Sequence, residues 1–204
     1  AGLVKCGMCG FANCDEKRLR KLINSNLLGL IKVLEWNSKN NIKLFRISSD
    51  IIPFASHEIN KIDWYKDNIE LFDEIEKIIR EKSMRISMHP GQYVNLNSNK
   101  EKVVEDSIRE IEWQVRFLDN LNLDGTHRII IHTGGAYGNK EEAIQRFIKI
   151  YKTLSSAIKN RLTLENDDKT FTTRDVLAVS KETEVPVVFD LLHHQVNNGG
   201  KEND

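Results

Sequence analysis

The sequence predicts an α/β protein built on a parallel sheet, of the (β/α)8 barrel type. Three observations predict it. Five short runs are almost wholly apolar, as strands buried on both faces require: Lys43–Ser48, Met84–Met88, Arg128–Ile131, Arg161–Leu164 and Pro186–Phe189. Long amphipathic stretches alternate with them. Each run is followed by a side chain that can hold a metal or move a proton, and a barrel collects such strand ends at one mouth.

In chain order, Leu3 to Gly7 is a candidate first strand. Asp15 to about Asn37 follows as a helix, with Leu19, Leu22, Ile23, Leu27, Leu30, Ile31 and Leu34 at helical spacing. The run from Lys43 leads through IIPFASH to a helix over Asp63–Glu81, carrying Ile69, Phe72, Ile75, Ile78 and Ile79. The run ending at Met88 meets Pro90-Gly91, which stops it at once. Helices then follow over Glu101 to about Leu121, over Glu141–Ile158 and, shorter, from Thr173. No linker or low-complexity segment divides the 204 residues, so one domain is expected.

Composition excludes little. Net charge is zero, so any nucleic-acid partner must be argued from a site rather than from bulk charge. No apolar run approaches the roughly 20 residues that span a bilayer. No basic start precedes an apolar core, so no signal peptide is expected, and a cytoplasmic protein is the expectation. Cys6, Cys9 and Cys14 form an odd, clustered set, which reads as free thiols in a reducing compartment before it reads as part of a metal site.

The polar residues after the strands carry the chemistry. Asp50 and His57 follow the first run, His89 the second, His132 the third, Glu165-Asn166-Asp167-Asp168 the fourth, and Asp190 with His193 and His194 the fifth. One histidine at a strand end is commonly a hydrogen-bonded structural residue. Five successive strands each delivering His, Glu or Asp to one end point to a shared metal site. Imidazole and carboxylate donors without thiolate suit manganese, iron or zinc. A bridging carboxylate such as Glu165 admits more than one ion. Such a cluster suits phosphodiester hydrolysis, by polarising phosphoryl oxygens and supplying hydroxide near neutral pH, and it also suits sugar isomerisation. Thr133-Gly134-Gly135-Ala136-Tyr137-Gly138 is a glycine-rich strand-to-helix turn and a candidate phosphate seat, with Lys140 beside it.

Five segments together resemble the UV damage endonuclease family: RISSDIIPFASH (46–57), SMHPGQYVNLNS (87–98), IIHTGGAYGNKEEAIQRF (130–147), LTLENDD (162–168) and PVVFDLLHH (186–194). The resemblance implies a TIM barrel with a divalent metal cluster, manganese first, with magnesium or zinc as alternatives. It implies incision immediately 5′ of cyclobutane dimers and 6-4 photoproducts in double-stranded DNA, and action at abasic sites. Metal ligands would be His57, His89, His132, Glu165, Asp190 and His193. His89, His132 and Glu165 would be the catalytic set. DNA contacts would come from Gln92, Tyr93, Tyr137 and Lys140, with Gln92-Tyr93 inserting at the lesion, where poor stacking lowers the cost of extruding a base. The family's first strand carries a Gly-Tyr pair, and AGLVKCGMCGFANC lacks the tyrosine. The family continues through two more strands with further ligands. The resemblance therefore implies a C-terminally shortened barrel of about six β/α units, with an incomplete cluster and open edges able to pair into a dimer, where a whole barrel would be a monomer. Two other readings stay open: a different metal-dependent barrel, such as an abasic-site endonuclease or sugar isomerase, and a silent module that binds distorted DNA.

Overall fold

The computed structural model describes residues 5–199. Five strands form one parallel sheet in the order β1-β2-β3-β4-β5: Leu44–Ile47, Arg85–Met88, Arg128–His132, Leu162–Glu165 and Val187–Val188. All five follow the predicted runs. The candidate strand at Leu3–Gly7 begins outside the described residues. From Lys5 to Gly10 there is no strand, and the Gly7 N–H bonds to Asn26 Oδ1 at 2.6 Å.

The helices are α1 (Glu16–Lys39), α2 (Ile69–Glu81), α3 (Glu101–Asn120), α4 (Lys140–Thr153), α5 (Ser156–Lys159), α6 (Thr173–Thr183) and α7 (Leu191–Val196). Their starts follow from capping. The Asp15 carboxylate accepts from Arg18 N–H, and Asn139 Oδ1 accepts from Glu142 N–H. Thr172 and Asp175 close a reciprocal capping box on α6. The helix predicted over Glu141–Ile158 is two helices. Leu154 is extended and buried, and Ser155 caps α5 anew through Ile158 N–H. Helix α7 was not foreseen in the short stretch after the last strand.

The chain falls into two compact units, Ala1–His89 with Trp113–His127, and Pro90–Glu112 with Arg128–Asp204. The first is organised by α1 and α2, whose buried Leu19, Ile23, Leu27, Phe72, Ile75 and Ile79 repeat every third or fourth residue. Trp64 stacks on Phe72 with ring centroids 5.7 Å apart, and Phe117 meets Phe72 edge-on at 5.3 Å. His127, which no strand end supplies, is a core residue here: its Nδ1 accepts from Ile86 N–H at 3.0 Å. The second unit buries Ile129, Leu162 and Leu164 of the sheet, as well as Phe147, Phe171, Val176 and Val179.

The cysteines correct the sequence reading. Cys9 and Cys14 are disulfide-bonded, while Cys6 is a free, half-buried thiol. The 3-10 turn over Phe11–Asn13 folds the intervening residues so that the two Cα atoms stand 5.7 Å apart, within disulfide reach. Burial, then the nearby Asp50 carboxylate, pushes the Cys6 thiol up from its ordinary pKa against an opposing hydrogen bond with Ser48.

Candidate metal centre

The centre is built by strand register. Strands β3 and β4 pair in parallel so that His132 lies directly beside Glu165, each the last residue of its strand. The ladder therefore fixes the two side chains as neighbours before any loop is considered. His132 Nε2 stands 3.5 Å from Glu165 Oε2. Ligand atoms about 2.1 Å from a common ion sit about 3.0–3.5 Å apart at adjacent coordination sites, so this spacing suits two ligands of one ion. Glu165 is buried and His132 half-buried. An imidazole and a buried carboxylate are donors for a divalent ion of the manganese, iron or zinc kind.

The run after β4 has separate roles for its members. Glu165 faces the centre. Asn166, fully buried, grips the backbone of Asp190: its Nδ2 donates to the Asp190 carbonyl at 2.9 Å and its Oδ1 accepts from Asp190 N–H at 2.8 Å. The Asn166 carbonyl lies 2.8 Å from His193 Nδ1. Asp167 turns inward and accepts from the backbone N–H groups of Lys169, Thr170 and Phe171. Asp168 is exposed.

Asp190 and His193 sit at the start of helix α7. Asp190 caps α7, accepting from His193 N–H at 2.8 Å. The His193 ring centroid lies 5.6 Å from that of His132. With the Asn166 carbonyl on Nδ1, the Nδ1–H tautomer leaves the Nε2 lone pair for a metal. Desolvation opposes the charged imidazole, but the Asn166 carbonyl and the Asp190, Glu165 and Asp168 carboxylates outweigh it and raise the His193 pKa. His194 points elsewhere, against the Phe189 ring and within 3.3 Å of Thr173 Oγ1.

His57 has different surroundings. It sits in an exposed turn after β1, its Nδ1 accepts from Ile59 N–H at 3.1 Å, and its ring meets Phe11 edge-on at 5.3 Å and Phe54 at 6.1 Å.

Gln92 and Tyr93 occupy an exposed turn just past β2. The Tyr93 ring folds over Gly91, where an added Cβ would stand 2.4 Å from it, so a larger residue there would displace the ring. In the Thr133–Gly138 loop, Gly135 N–H is already bonded to Asn97 Oδ1, and Gly135 C=O accepts from Asn97 Nδ2. The loop predicted as a phosphate seat thus has at least that donor engaged internally. Tyr137 is half-exposed at the loop's tip, with the Arg146 guanidinium 5.4 Å from its ring centre. Lys140 is paired with Asp175 and lies near the Phe171 ring.

Sequence reasoning missed Asn95, Asn97 and Asn166. The Asn-x-Asn spacing of 95 and 97 is an Asx-turn signal, and the Asn97 N–H does bond Asn95 Oδ1 at 3.1 Å. Nothing in the sequence marks Asn166 apart from its place after Glu165.

Fold and site together define an α/β protein of TIM-barrel type with a His/Glu cluster at its strand ends. The chain belongs to the UV-endonuclease UvdE family, whose profile matches residues 10–204. It is 48% identical over 180 residues to the UV DNA damage endonuclease of Clostridium perfringens (strain 13 / Type A), covering 88% of this chain. The crystal structure of SacUVDE superposes with a TM-score of 0.93 at 42% identity, over 99% of this chain and 69% of that one. A D-psicose 3-epimerase structure shares the fold alone, at 13% identity and a TM-score of 0.60, over 83% of this chain and 61% of that one. The chain spans about half the length of the curated relatives it matches, 44% of the Clostridium protein and 57% of one from Bacillus cereus (strain B4264).

Proposed function

We propose that this chain carries the metal centre of a DNA-repair endonuclease. It would hydrolyse the phosphodiester bond immediately 5′ of cyclobutane dimers and 6-4 photoproducts, and would act at abasic sites. The observation that carries the reading is the His132–Glu165 pair at the ends of neighbouring strands, to which the family resemblance adds His89, in a family whose curated relatives are named UV DNA damage endonucleases. These three residues would hold a divalent ion, manganese first, with His193 and Asp190 adding donors and His57 reaching it from its own turn. Such ions supply charge to the phosphoryl oxygens and lower the pKa of water.

The protein's own part is positioning. Buried Glu165 fixes negative charge where cations are wanted, and Asn166 orients His193 through its carbonyl. Gln92 and Tyr93 would enter the duplex at the lesion, an exposed amide and ring on the turn that follows β2. The substrate places the enzyme at the nucleoid.

The test is nicking of supercoiled plasmid with Mn²⁺, UV-irradiated against untreated, with and without chelator. Chelator-sensitive nicking of irradiated plasmid alone is expected. Equal nicking of both plasmids would remove the lesion role of Gln92 and Tyr93. Lesion-selective binding without nicking would leave recognition standing and remove hydrolysis.

A further inference from the structure

Two loops of the second unit are stitched together by asparagines. Asn97 is fully buried and uses both ends of its amide on one residue: Gly135 N–H donates to Oδ1 at 3.1 Å, and Nδ2 donates to the Gly135 carbonyl at 3.0 Å. The Asn97 carbonyl accepts from Arg146 Nε at 3.0 Å. Asn95 continues the stitch. Its Oδ1 accepts from Asn97 N–H, which orients its Nδ2 to donate to the Tyr137 hydroxyl at 2.7 Å. The Asn95 N–H is anchored on Ser107 Oγ of α3, and that hydroxyl donates to the Val103 carbonyl.

The backbone shows how tightly the loops are held. Gly134 has φ +115°, and an added Cβ would fall 2.3 Å from Asn95 Oδ1 and 2.4 Å from Asn97 Oδ1. Tyr137 has φ +50°, a left-handed conformation that an aromatic residue adopts only where its surroundings impose it. The Tyr137 side chain is held there by its hydroxyl bond to Asn95 and by the guanidinium over its ring. The result is a half-exposed tyrosine held on one loop, linked to the segment whose turn presents exposed Tyr93.

We infer that Asn95 and Asn97 are positioning residues that lock the Gln92–Tyr93 turn to the Thr133–Gly138 loop, so that Tyr93 and Tyr137 meet damaged DNA as one fixed pair. This rests on the lesion-recognition reading above. An unlocked pair would have to be ordered at the moment of binding, and only the damaged duplex, which the probe enters, repays that ordering. Loss of the lock therefore lowers discrimination rather than general DNA affinity.

The test uses Asn95→Ala and Tyr137→Phe, the second of which removes only the hydroxyl acceptor. Hydrogen exchange is followed over 91–98 and 133–138, with affinity for duplexes containing or lacking one cyclobutane dimer. Each variant is expected to speed exchange in both loops together. Each lowers the damaged-to-undamaged affinity ratio about tenfold while leaving Mn²⁺ affinity and Tm near wild type. The double variant should be little worse than either single one, because both break one link. Exchange that rises in one loop only overturns the lock, whatever the DNA result. Unchanged discrimination in variants of a discriminating wild type overturns the positioning role alone, as does a fall in Tm and Mn²⁺ affinity with discrimination intact. A wild type that binds both duplexes alike overturns the lesion reading, and the positioning role with it.

Discussion

His132 with Glu165 and His57 stand in opposite kinds of place. The first two are terminal residues of neighbouring strands, set side by side by a backbone ladder that buries Ile129, Leu162 and Leu164 beneath them. His57 is exposed in a turn, held by local hydrogen bonds to Phe54, Ile59 and Asn60 and by the edges of Phe11 and Phe54. A ladder fixes its residues through many cooperative bonds, so a ligand pair at its end is pre-organised. A turn held by a few ring contacts opens at low free energy. The difference teaches that a centre of this type has a rigid base and an adjustable periphery.

The largest break in that comparison is expected at Glu165. Glu165→Ala should lower Mn²⁺ affinity by at least about 100-fold and abolish nicking, with far-ultraviolet circular dichroism unchanged. Calorimetric titration of the variant with Mn²⁺ checks it, and near-normal affinity would take Glu165 out of the centre. Asn166→Ala comes next. It touches no ion but releases both Asp190 and the His193 ring, so about a 10- to 100-fold loss of affinity is expected. A loss in Tm with unchanged affinity would instead make Asn166 a packing residue.

A pH effect sharpens the role of His193. Its raised pKa keeps a proton on the imidazole to higher pH, and that proton competes with a metal for Nε2. Mn²⁺ affinity should therefore climb as pH rises through the upper part of the histidine range, and His193→Asn should flatten the climb. The same shift works on stability with the opposite sign. The folded state binds this proton more tightly than the unfolded chain, so its contribution is complete below the ordinary histidine pKa and is lost as pH rises through the raised value. An identical pH profile in wild type and variant would show that His193 is no ligand.

The smallest effects are expected in the periphery. His57→Ala should weaken Mn²⁺ binding less than tenfold, and Phe11→Ala, which removes one edge contact with His57, less than threefold. Reducing the Cys9–Cys14 disulfide, which closes the turn bearing Phe11, should resemble Phe11→Ala. A loss at His57 as large as that at Glu165 would erase the distinction between base and periphery.

How much was legible follows the same division. All five strands and the main helices were readable, because burial on both faces forces continuous apolar runs and one-sided burial forces helical spacing. His132 and Glu165 were readable because a parallel strand's end is a fixed place. The break at Leu154 and Ser155 was not, since a capping serine inside an amphipathic stretch looks like any surface serine. Helix α7 was hidden by its length and by the two histidines that drew a ligand reading. The free-thiol reading of Cys9 and Cys14 failed because their pairing depends on a 3-10 turn that three residues, Phe11-Ala12-Asn13, do not announce.

The sequence by itself determined the class of fold, the family and the strand-end donors, since each rests on local periodicity or contiguous motifs. Only the tertiary structure decided which donors meet and what holds them. The 3.5 Å approach of His132 to Glu165, the grip of Asn166 on Asp190 and the stitch from Asn95 and Asn97 to the Thr133–Gly138 loop join residues from 2 to 42 positions apart or across the sheet. Hydrogen bonds of that kind leave no periodic trace, because a buried asparagine is selected by the one backbone it satisfies and not by its neighbours in the chain.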